Sequence, residues 1–113
     1  MTLTLSIKEE FLKQLIAGTK KEDYREATPY NISKICDTDK DGKIIGVRAF
    51  DRVRFLTGKY TKGKARPFAE FAIKEIFIEE VTDEQNNPCF DFTIKVSNLL
   101  ADNFSKTISS PKI

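Results

Sequence analysis

The chain has 113 residues and a mass of 12.9 kDa, which is the size of one ordinary domain. Its 19 basic residues nearly balance its 17 acidic ones, so net charge does not predict uniform coating of a polyanion. It has no histidine, which excludes a Ser-His-Asp triad and a histidine-ligated metal site. No apolar run reaches the ~18 residues of a membrane helix, and the N-terminus lacks signal-peptide features. We therefore expect a soluble, cytoplasmic protein without membrane contact, bound metal or cofactor.

The first predicted elements are a strand and a helix. Residues 2–6 alternate polar and apolar side chains, as in a short strand. Apolar residues then recur at steps of three and four, which predicts an amphipathic helix. Ser6 and Glu9 have the spacing of a capping box, and Gly18 ends the helix because it tolerates the left-handed conformation. The apolar face consists of Ile7, Phe11, Leu12, Leu15 and Ile16.

A short second helix and several strands follow. Thr28 and Pro29 are typical of a helix start, and this helix is expected to end near Ile35. Within residues 68–78 the parity of apolar positions changes, which predicts a bulge or bend. The other expected elements are a loop over 37–42, strands over 44–47, 51–57 and 90–96, and a turn over 83–88.

Strands outnumber helices, and no regular alternation of strand and helix occurs. This pattern predicts an α+β protein, a small mixed or antiparallel β-barrel with one main helix after the first strand. We expect one domain over residues 1–113, with a core over about 3–97 and a polar tail over 98–113. In the tail, a helical turn is expected near Leu99 and Leu100, and fraying over 109–113.

Residues 37–44 resemble the beginning of a calcium-binding loop. Asp37, Asp39 and Asp41 occupy its positions 1, 3 and 5, and a glycine follows at position 6. Position 12 is Arg48, where a chelating glutamate is required. We therefore interpret the segment as a polar turn whose aspartates accept hydrogen bonds from their own backbone.

Two cysteines, Cys36 and Cys89, lie far apart in the sequence. Free cysteine is one of the residue types most often found buried, and disulfides are rare inside cells. We expect both to be reduced thiols in the core.

Residues 48–66 form a basic segment with seven Lys or Arg residues and one Asp. Arg52 and Arg54 alternate with Val53 and Phe55, which places the two arginines together on the outer face of a strand. A phosphate backbone is a natural partner for such a stripe, and a solvated basic hairpin is the alternative. The predicted ligand-binding residues here are Arg52, Arg54, Tyr60, Lys62 and Lys64, with Tyr60 stacking a base.

Residues 18–26, with the sequence GTKKEDYRE, concentrate polar chemistry after the first helix. In an extended segment Asp23 and Arg25 face one side and Tyr24 the other. Together with Lys20 they form a candidate polar site, to which a salt-bridged surface strand is the alternative.

The segment LSIKEEFLKQLIAGTKKEDYR, residues 5–25, resembles the opening of ASCH domains, relatives of the PUA RNA-binding fold. Their hallmark is an apolar helix followed by G-x-K-x-x-E-x-R, which Gly18, Lys20, Asp23 and Arg25 match with Asp in place of Glu. The resemblance covers about residues 3–96. Later segments similar in order and spacing are TPY at 28–30, FDRVRFLTGKY at 50–60 and FAEFAIKEI at 68–76.

The resemblance implies a small β-barrel with a cleft beside the first helix, lined by Lys20, Asp23 and Arg25. In the family this cleft is thought to bind RNA or a nucleotide-like ligand. Some members are amidohydrolases acting on acylated cytidine, and others have reported ribonuclease activity. In the amidohydrolase branch a threonine, assigned as the nucleophile, stands at the position of Asp23, and Glu70 is the counterpart of a second acidic residue.

Three functions are consistent with these residues. Our primary hypothesis is a binding module in which Lys20 and Arg25 contact phosphate or carbonyl oxygens of RNA, a nucleotide or a nucleoside. The second is a small hydrolase of modified nucleosides or RNA, with Lys20 as general base and Asp23 or Glu70 orienting water. The third is a protein-interaction module that shares the fold alone.

Overall fold

The computed structural model describes residues 1–59 and 61–103. The helices within them are α1 (Glu9–Ala17) and α2 (Pro29–Ile35). The strands are β1 (Thr2–Ser6), β2 (Glu22–Glu26), β3 (Cys36–Thr38), β4 (Ile44–Val47), β5 (Arg52–Leu56), β6 (Phe68–Thr82) and β7 (Pro88–Asp102). The fold is therefore α+β, with the main helix after the first strand, as the sequence predicts. Neither helix in this part of the chain is long and apolar enough to cross a membrane.

Five strands form a mixed sheet in the order β1-β5-β6-β7-β2. β1 and β5 are parallel, whereas the other neighbouring pairs are antiparallel. β3 and β4 form a separate two-stranded sheet. The edge strands β1 and β2 are not hydrogen-bonded to each other within the described residues, so this sheet is not closed as a barrel.

The core lies between the sheet and α1. Val53 and Phe55 of β5 are fully buried, while Arg52 and Arg54 point to the opposite face, as their alternation predicts. The Phe55 ring meets the edge of the Phe71 ring, with 6.1 Å between centroids. The same buried cluster contains Leu3, Leu5, Leu12, Leu15, Phe92 and Ile94.

The start of α1 differs from the sequence prediction. The amide of Ile7 donates to the carbonyl of Leu56 at 2.9 Å, so the pairing of β1 with β5 continues past Ser6. Because Ser6 belongs to the strand, it does not form the predicted capping box with Glu9. Lys8 is the N-cap instead, without a side-chain hydrogen bond.

The second helix begins as predicted. The Thr28 hydroxyl accepts a hydrogen bond from the amide of Asn31 at 3.1 Å, and Pro29 is the first helical residue. Proline suits this position because its φ angle is already helical and the missing N–H has no partner there. Helix α2 ends at Ile35, whose side chain is fully buried.

The predicted polar loop at residues 37–42 is part of the β3–β4 hairpin. The carboxylate of Asp39 accepts hydrogen bonds from the amides of Asp41 and Lys43, both at 2.9 Å. Arg48 donates to the carboxylate of Asp37 at 3.2 Å. These bonds occupy two of the three aspartates, and the described residues contain no cluster of acidic or cysteine side chains arranged for a metal ion.

Calcium is expected to leave the Tm of the protein unchanged. A site that binds an ion in the native state raises Tm by mass action, whereas the hairpin aspartates already bind backbone amides and Arg48. Thermal unfolding with millimolar calcium chloride, compared with sodium chloride of equal ionic strength, measures this. A calcium-specific rise of several degrees would contradict the interpretation.

Strands β6 and β7 form a long hairpin with an irregular register. The pairing shifts between Glu70 and Glu75, where the change in apolar parity predicts a bulge. β7 continues beyond Val96, and Leu99 pairs with Phe71, so the helical turn predicted near Leu99 and Leu100 is wrong. The reason is that β6 offers pairing partners there. The fraying predicted for residues 109–113 falls outside the described residues.

Candidate functional site

A cavity of about 410 Å³ lies where β1 ends, α1 begins and β2 passes both. Three residues of the motif, Lys20, Asp23 and Arg25, line it together. The other lining residues are Ser6, Ile7, Lys8, Phe11 and Tyr24. The site therefore occupies the space between the two edge strands of the sheet.

The turn after α1 positions the motif. Gly18 has a φ of 81°, a left-handed conformation that glycine adopts without strain. The amides of Thr19 and Lys20 both donate to the carbonyl of Gln14, at 3.1 and 3.2 Å. These bonds fold the chain back across the last turn of the helix and direct Lys20 into the cavity.

Asp23 and Arg25 form an ion pair in the cavity. They pair with Ile94 and Phe92 of β7, and their side chains lie on the face of β2 opposite to Tyr24. Arg25 Nε donates to Asp23 Oδ2 at 2.6 Å, with the side chains 20% and 8% exposed. A pair this short and this buried fixes the orientation of the guanidinium.

Within the described residues, the two terminal nitrogens of the Arg25 guanidinium make no hydrogen bond. Within the described residues, Nε is the nitrogen of this group that makes a hydrogen bond. The two terminal nitrogens form a planar fork that suits two oxygens of one anion or a pair of base acceptors.

Lys20 lies between two aromatic rings. Its Nζ is 5.5 Å from the Phe11 ring centroid and 5.4 Å from that of Tyr24. Lys8 Nζ lies 6.0 Å from the same Phe11 ring. Neither lysine forms an ion pair with another residue in the described ranges, so both ammonium groups are available to an anion. Contacts with ring faces stabilise cations and hold Lys20 in place.

Tyr24 presents its ring to solvent while its hydroxyl is anchored. The hydroxyl donates a hydrogen bond to the Glu22 carboxylate, and this bond raises the pKa of Tyr24. The phenol is therefore neutral across the physiological range. The residue is 57% exposed, so its ring is accessible for stacking.

Glu70 lies elsewhere and is not among the residues that line this cavity. It is buried on β6, where it accepts hydrogen bonds from Arg54 at 2.7 Å and from Arg52 at 3.2 Å. Burial alone would raise the pKa of Glu70, but the two guanidinium groups outweigh it and lower that pKa below its usual value. The Arg54 guanidinium also lies over the Phe68 ring, 4.3 Å from its centroid.

The basic stripe is partly neutralised in the folded chain. Arg48 pairs with Asp37, and Glu70 bridges the two arginines of β5. Lys62 and Lys64 are exposed near a turn closed by the bond from the Lys64 amide to the Thr61 carbonyl at 3.0 Å. Tyr60, predicted to stack a base, lies outside the described residues.

The sequence analysis did not identify Lys8 and Phe11 as site residues. Phe11 repeats with the helical period of Leu12 and Leu15, so the pattern assigns all three to the core. Phe11 is 38% exposed, whereas both leucines are buried. Lys8 could have indicated the site from the sequence, because it is a cation at the start of α1 and the motif begins at the end of the same helix.

The two cysteines are unpaired thiols. Cys36 is buried at the start of β3, and burial raises the pKa of its thiol. Cys89 is half-buried on β7; desolvation and the carboxylates of Asp91, Asp83 and Glu26 raise its pKa. Both are held in the unreactive thiol form, although Cys89 is less buried than predicted.

Fold and site together define a small α+β protein with a cationic cavity lined by aromatic rings. In comparisons with protein-family models, with curated proteins and with solved structures, nothing matches this chain. The chemistry of the cavity therefore supplies the functional argument.

Proposed function

We propose that this chain is an ASCH-type, PUA-like domain that binds a nucleotide unit, of RNA or of a free nucleotide, in the cavity between α1 and β2. The observation that carries the proposal is the convergence of Lys20, Asp23 and Arg25 in one cavity with two exposed rings. A nucleotide combines a flat base with an anionic phosphate, and this cavity offers partners for both.

The charges of the cavity favour an anionic ligand. Lys8, Lys20 and Arg25 are cationic and Asp23 is the acidic residue among those that line it, which leaves a net charge of +2. The planar Arg25 guanidinium can bind two oxygens of one anion at once, and the ammonium groups of Lys8 and Lys20 attract a nearby anion as point charges. A phosphate group matches this distribution better than a neutral nucleoside does.

The rings supply the second half of the recognition. Phe11 and Tyr24 are 38% and 57% exposed, and they flank the Lys20 ammonium. Stacking of a base on an aromatic side chain contributes about 1–3 kcal/mol and depends little on base identity. Such a site favours nucleotides as a class over other small phosphates.

The PUA-like barrel of ASCH domains is the fold that this proposal implies, although the described strands form an open sheet. The edge strands β1 and β2 both contribute to the cavity, and α1 connects them along the chain. In a barrel of this kind the cleft lies beside the first helix. The position of the cavity between these edges supports this assignment.

Binding is favoured over hydrolysis because both candidate carboxylates are already engaged. Asp23 accepts a hydrogen bond from Arg25, and Glu70 accepts from Arg52 and Arg54. Both oxygens of Glu70 are engaged by arginines and Glu70 does not line the cavity, so the second acidic residue of the hydrolase hypothesis is separated from Lys20 and Asp23.

Lys20→Ala is expected to weaken binding of nucleoside monophosphates by about 10- to 100-fold while the protein stays folded. Loss of a hydrogen bond to a charged group corresponds to roughly 1.5–3 kcal/mol, and 1.4 kcal/mol is tenfold in affinity. Calorimetric titration at low salt measures the change for each nucleotide and its unphosphorylated nucleoside. The matched control is Lys13→Ala, an exposed lysine of α1 that pairs with Glu9 outside the cavity.

Two results would refute the proposed function. One is a folded wild-type protein that binds none of the four monophosphates at low salt. The other is equal affinity of wild type, Lys20→Ala and Lys13→Ala, because binding would then occur away from the motif.

A further inference from the structure

The arginine pair of β5 lies on the outer face of the sheet, close to the rim of the cavity at Ser6. Ser6, which lines the cavity, points to the same side of β1 as Thr4. Thr4 is in register with Arg54 on the neighbouring parallel strand. From the strand spacing and the rise per residue, the backbone positions of Ser6 and Arg54 are roughly 8 Å apart. A polymer that leaves the cavity past Ser6 is therefore within reach of the arginines.

Arg52 and Arg54 form an anion-binding site in which the Glu70 carboxylate of the same chain is bound. Arg52 and Arg54 are 44% and 41% exposed, whereas the side chain of Glu70 between them is 10% exposed. Each guanidinium donates one observed hydrogen bond to Glu70, Arg54 through Nε and Arg52 through one terminal nitrogen. The Phe68 ring holds the plane of Arg54 at 4.3 Å. Two cations thus share one carboxylate and retain a net positive charge.

We propose that Arg52 and Arg54 extend the cavity into a phosphate-binding surface for single-stranded RNA, and that Glu70 competes with the RNA phosphate for these two arginines. This inference rests on the proposed function, since the cavity must accept one nucleotide of the strand. The adjoining phosphate then contacts the exposed donors of the arginine pair, while Glu70 limits the affinity by neutralising one of the two charges.

A purely structural role for this cluster makes a different prediction. Cross-strand ion pairs stabilise a sheet, and removing one partner then destabilises the fold without improving any binding. Competition with a phosphate instead predicts a gain of binding when Glu70 loses its charge. A gain of affinity is a result that damage to the fold does not produce.

The test compares Glu70→Gln with Glu80→Gln. Both variants remove one negative charge from β6, but Glu80 is exposed, opposite Phe90, in the distal half of the hairpin. The probes are a short fluorescent oligouridylate and uridine monophosphate, titrated over a range of salt concentrations. Glu70→Gln is expected to bind the oligouridylate about 3- to 10-fold more tightly than Glu80→Gln at low salt. For Glu70→Gln, the slope of the logarithm of the association constant against the logarithm of the salt concentration should steepen by about 0.7 for each phosphate newly contacted. The affinity for uridine monophosphate should stay unchanged.

The outcomes separate this inference from the proposed function. If Glu70→Gln is folded and binds the oligouridylate no better than Glu80→Gln does, the competition is refuted, even when the monophosphate binds the cavity normally. If Glu70→Gln does not fold, Arg52→Gln provides the test, because Arg52 makes the longer bond and is the more exposed. Weaker oligouridylate binding with unchanged monophosphate binding supports the arginine surface, and unchanged binding of both overturns it.

Discussion

Asp23→Ala is expected to lower the free energy of unfolding by about 3 kcal/mol and to abolish nucleotide binding in the fraction that remains folded. The side chain of Asp23 is 8% exposed and that of Arg25 is 20% exposed. Removing one partner of a buried ion pair typically costs about 3–5 kcal/mol, because the remaining charge loses its compensation. Arg25 retains some contact with water, which places the cost at the lower end. The freed guanidinium also loses the orientation that binding requires.

A double variant separates the structural contribution of this pair from its role in binding. Asp23→Leu combined with Arg25→Met replaces both charges by apolar side chains of similar size, a change that is often neutral for stability. We expect the double variant to recover most of the stability lost in Asp23→Ala and to bind no nucleotide. Urea unfolding and calorimetric titration measure the two properties, with Glu26→Ala on the same strand as the control. Binding retained by the double variant would show that the pair is purely structural.

The same burial argues for a strong effect of Arg25→Ala on folding. Asp23 is the more buried partner, and the Arg25 guanidinium is the hydrogen-bond donor seen for its carboxylate within the described residues. Within the motif, Asp23 and Arg25 therefore stabilise the fold, whereas the Lys20 ammonium contacts the faces of aromatic rings in the described structure. Binding data on Lys20 variants are the cleaner measure of function.

Local sequence patterns predicted the elements that depend on local physics. Alternation of side chains placed Arg52 and Arg54 opposite Val53 and Phe55, and Gly18 ended the first helix. The partners of a strand are long-range, so the pattern alone did not reveal that β1 pairs with β5. That pairing is why Ser6 does not cap α1.

The candidate site was predicted only in part, because some of its contacts are local in the sequence and others depend on long-range packing. Asp23 and Arg25 are two residues apart, and strand geometry alone places them side by side. The contribution of Phe11 depends on how α1 packs, which the helical period does not specify. The partners of Glu70 come from β5, and its place beside two arginines follows from the register of β5 and β6. Resemblance in order and spacing could associate Glu70 with the motif but could not give its location.

Glu70→Gln is also expected to change how stability depends on pH. Burial opposes the charge of Glu70, but the bonds and charges of Arg54 and Arg52 lower its pKa in the folded state below the usual value of about 4.3. A carboxyl with a lowered pKa contributes stability that is complete above its unfolded-state pKa. That contribution is lost as the pH falls through the lower, folded-state pKa. At pH 7 the free energy of unfolding of the wild type should therefore exceed that of Glu70→Gln by roughly 1–3 kcal/mol. We expect a value near the lower end, because both arginines are about 40% exposed and water screens their charges.

The difference between the two proteins should begin to shrink as the pH falls to about 4.3, the ordinary pKa of a glutamate, because Glu70 of the unfolded wild type then binds a proton that the folded protein binds only at lower pH. Urea unfolding at several pH values measures it, and taking the difference cancels the other carboxylates that titrate in the same range. Glu80→Gln is again the matched control, and its stability should follow that of wild type at every pH. A difference for Glu70→Gln that stays constant or widens in acid would mean that the arginines do not stabilise the charged carboxylate. The competition proposed for RNA would then lose its electrostatic basis, since Glu70 can displace a phosphate only as an anion.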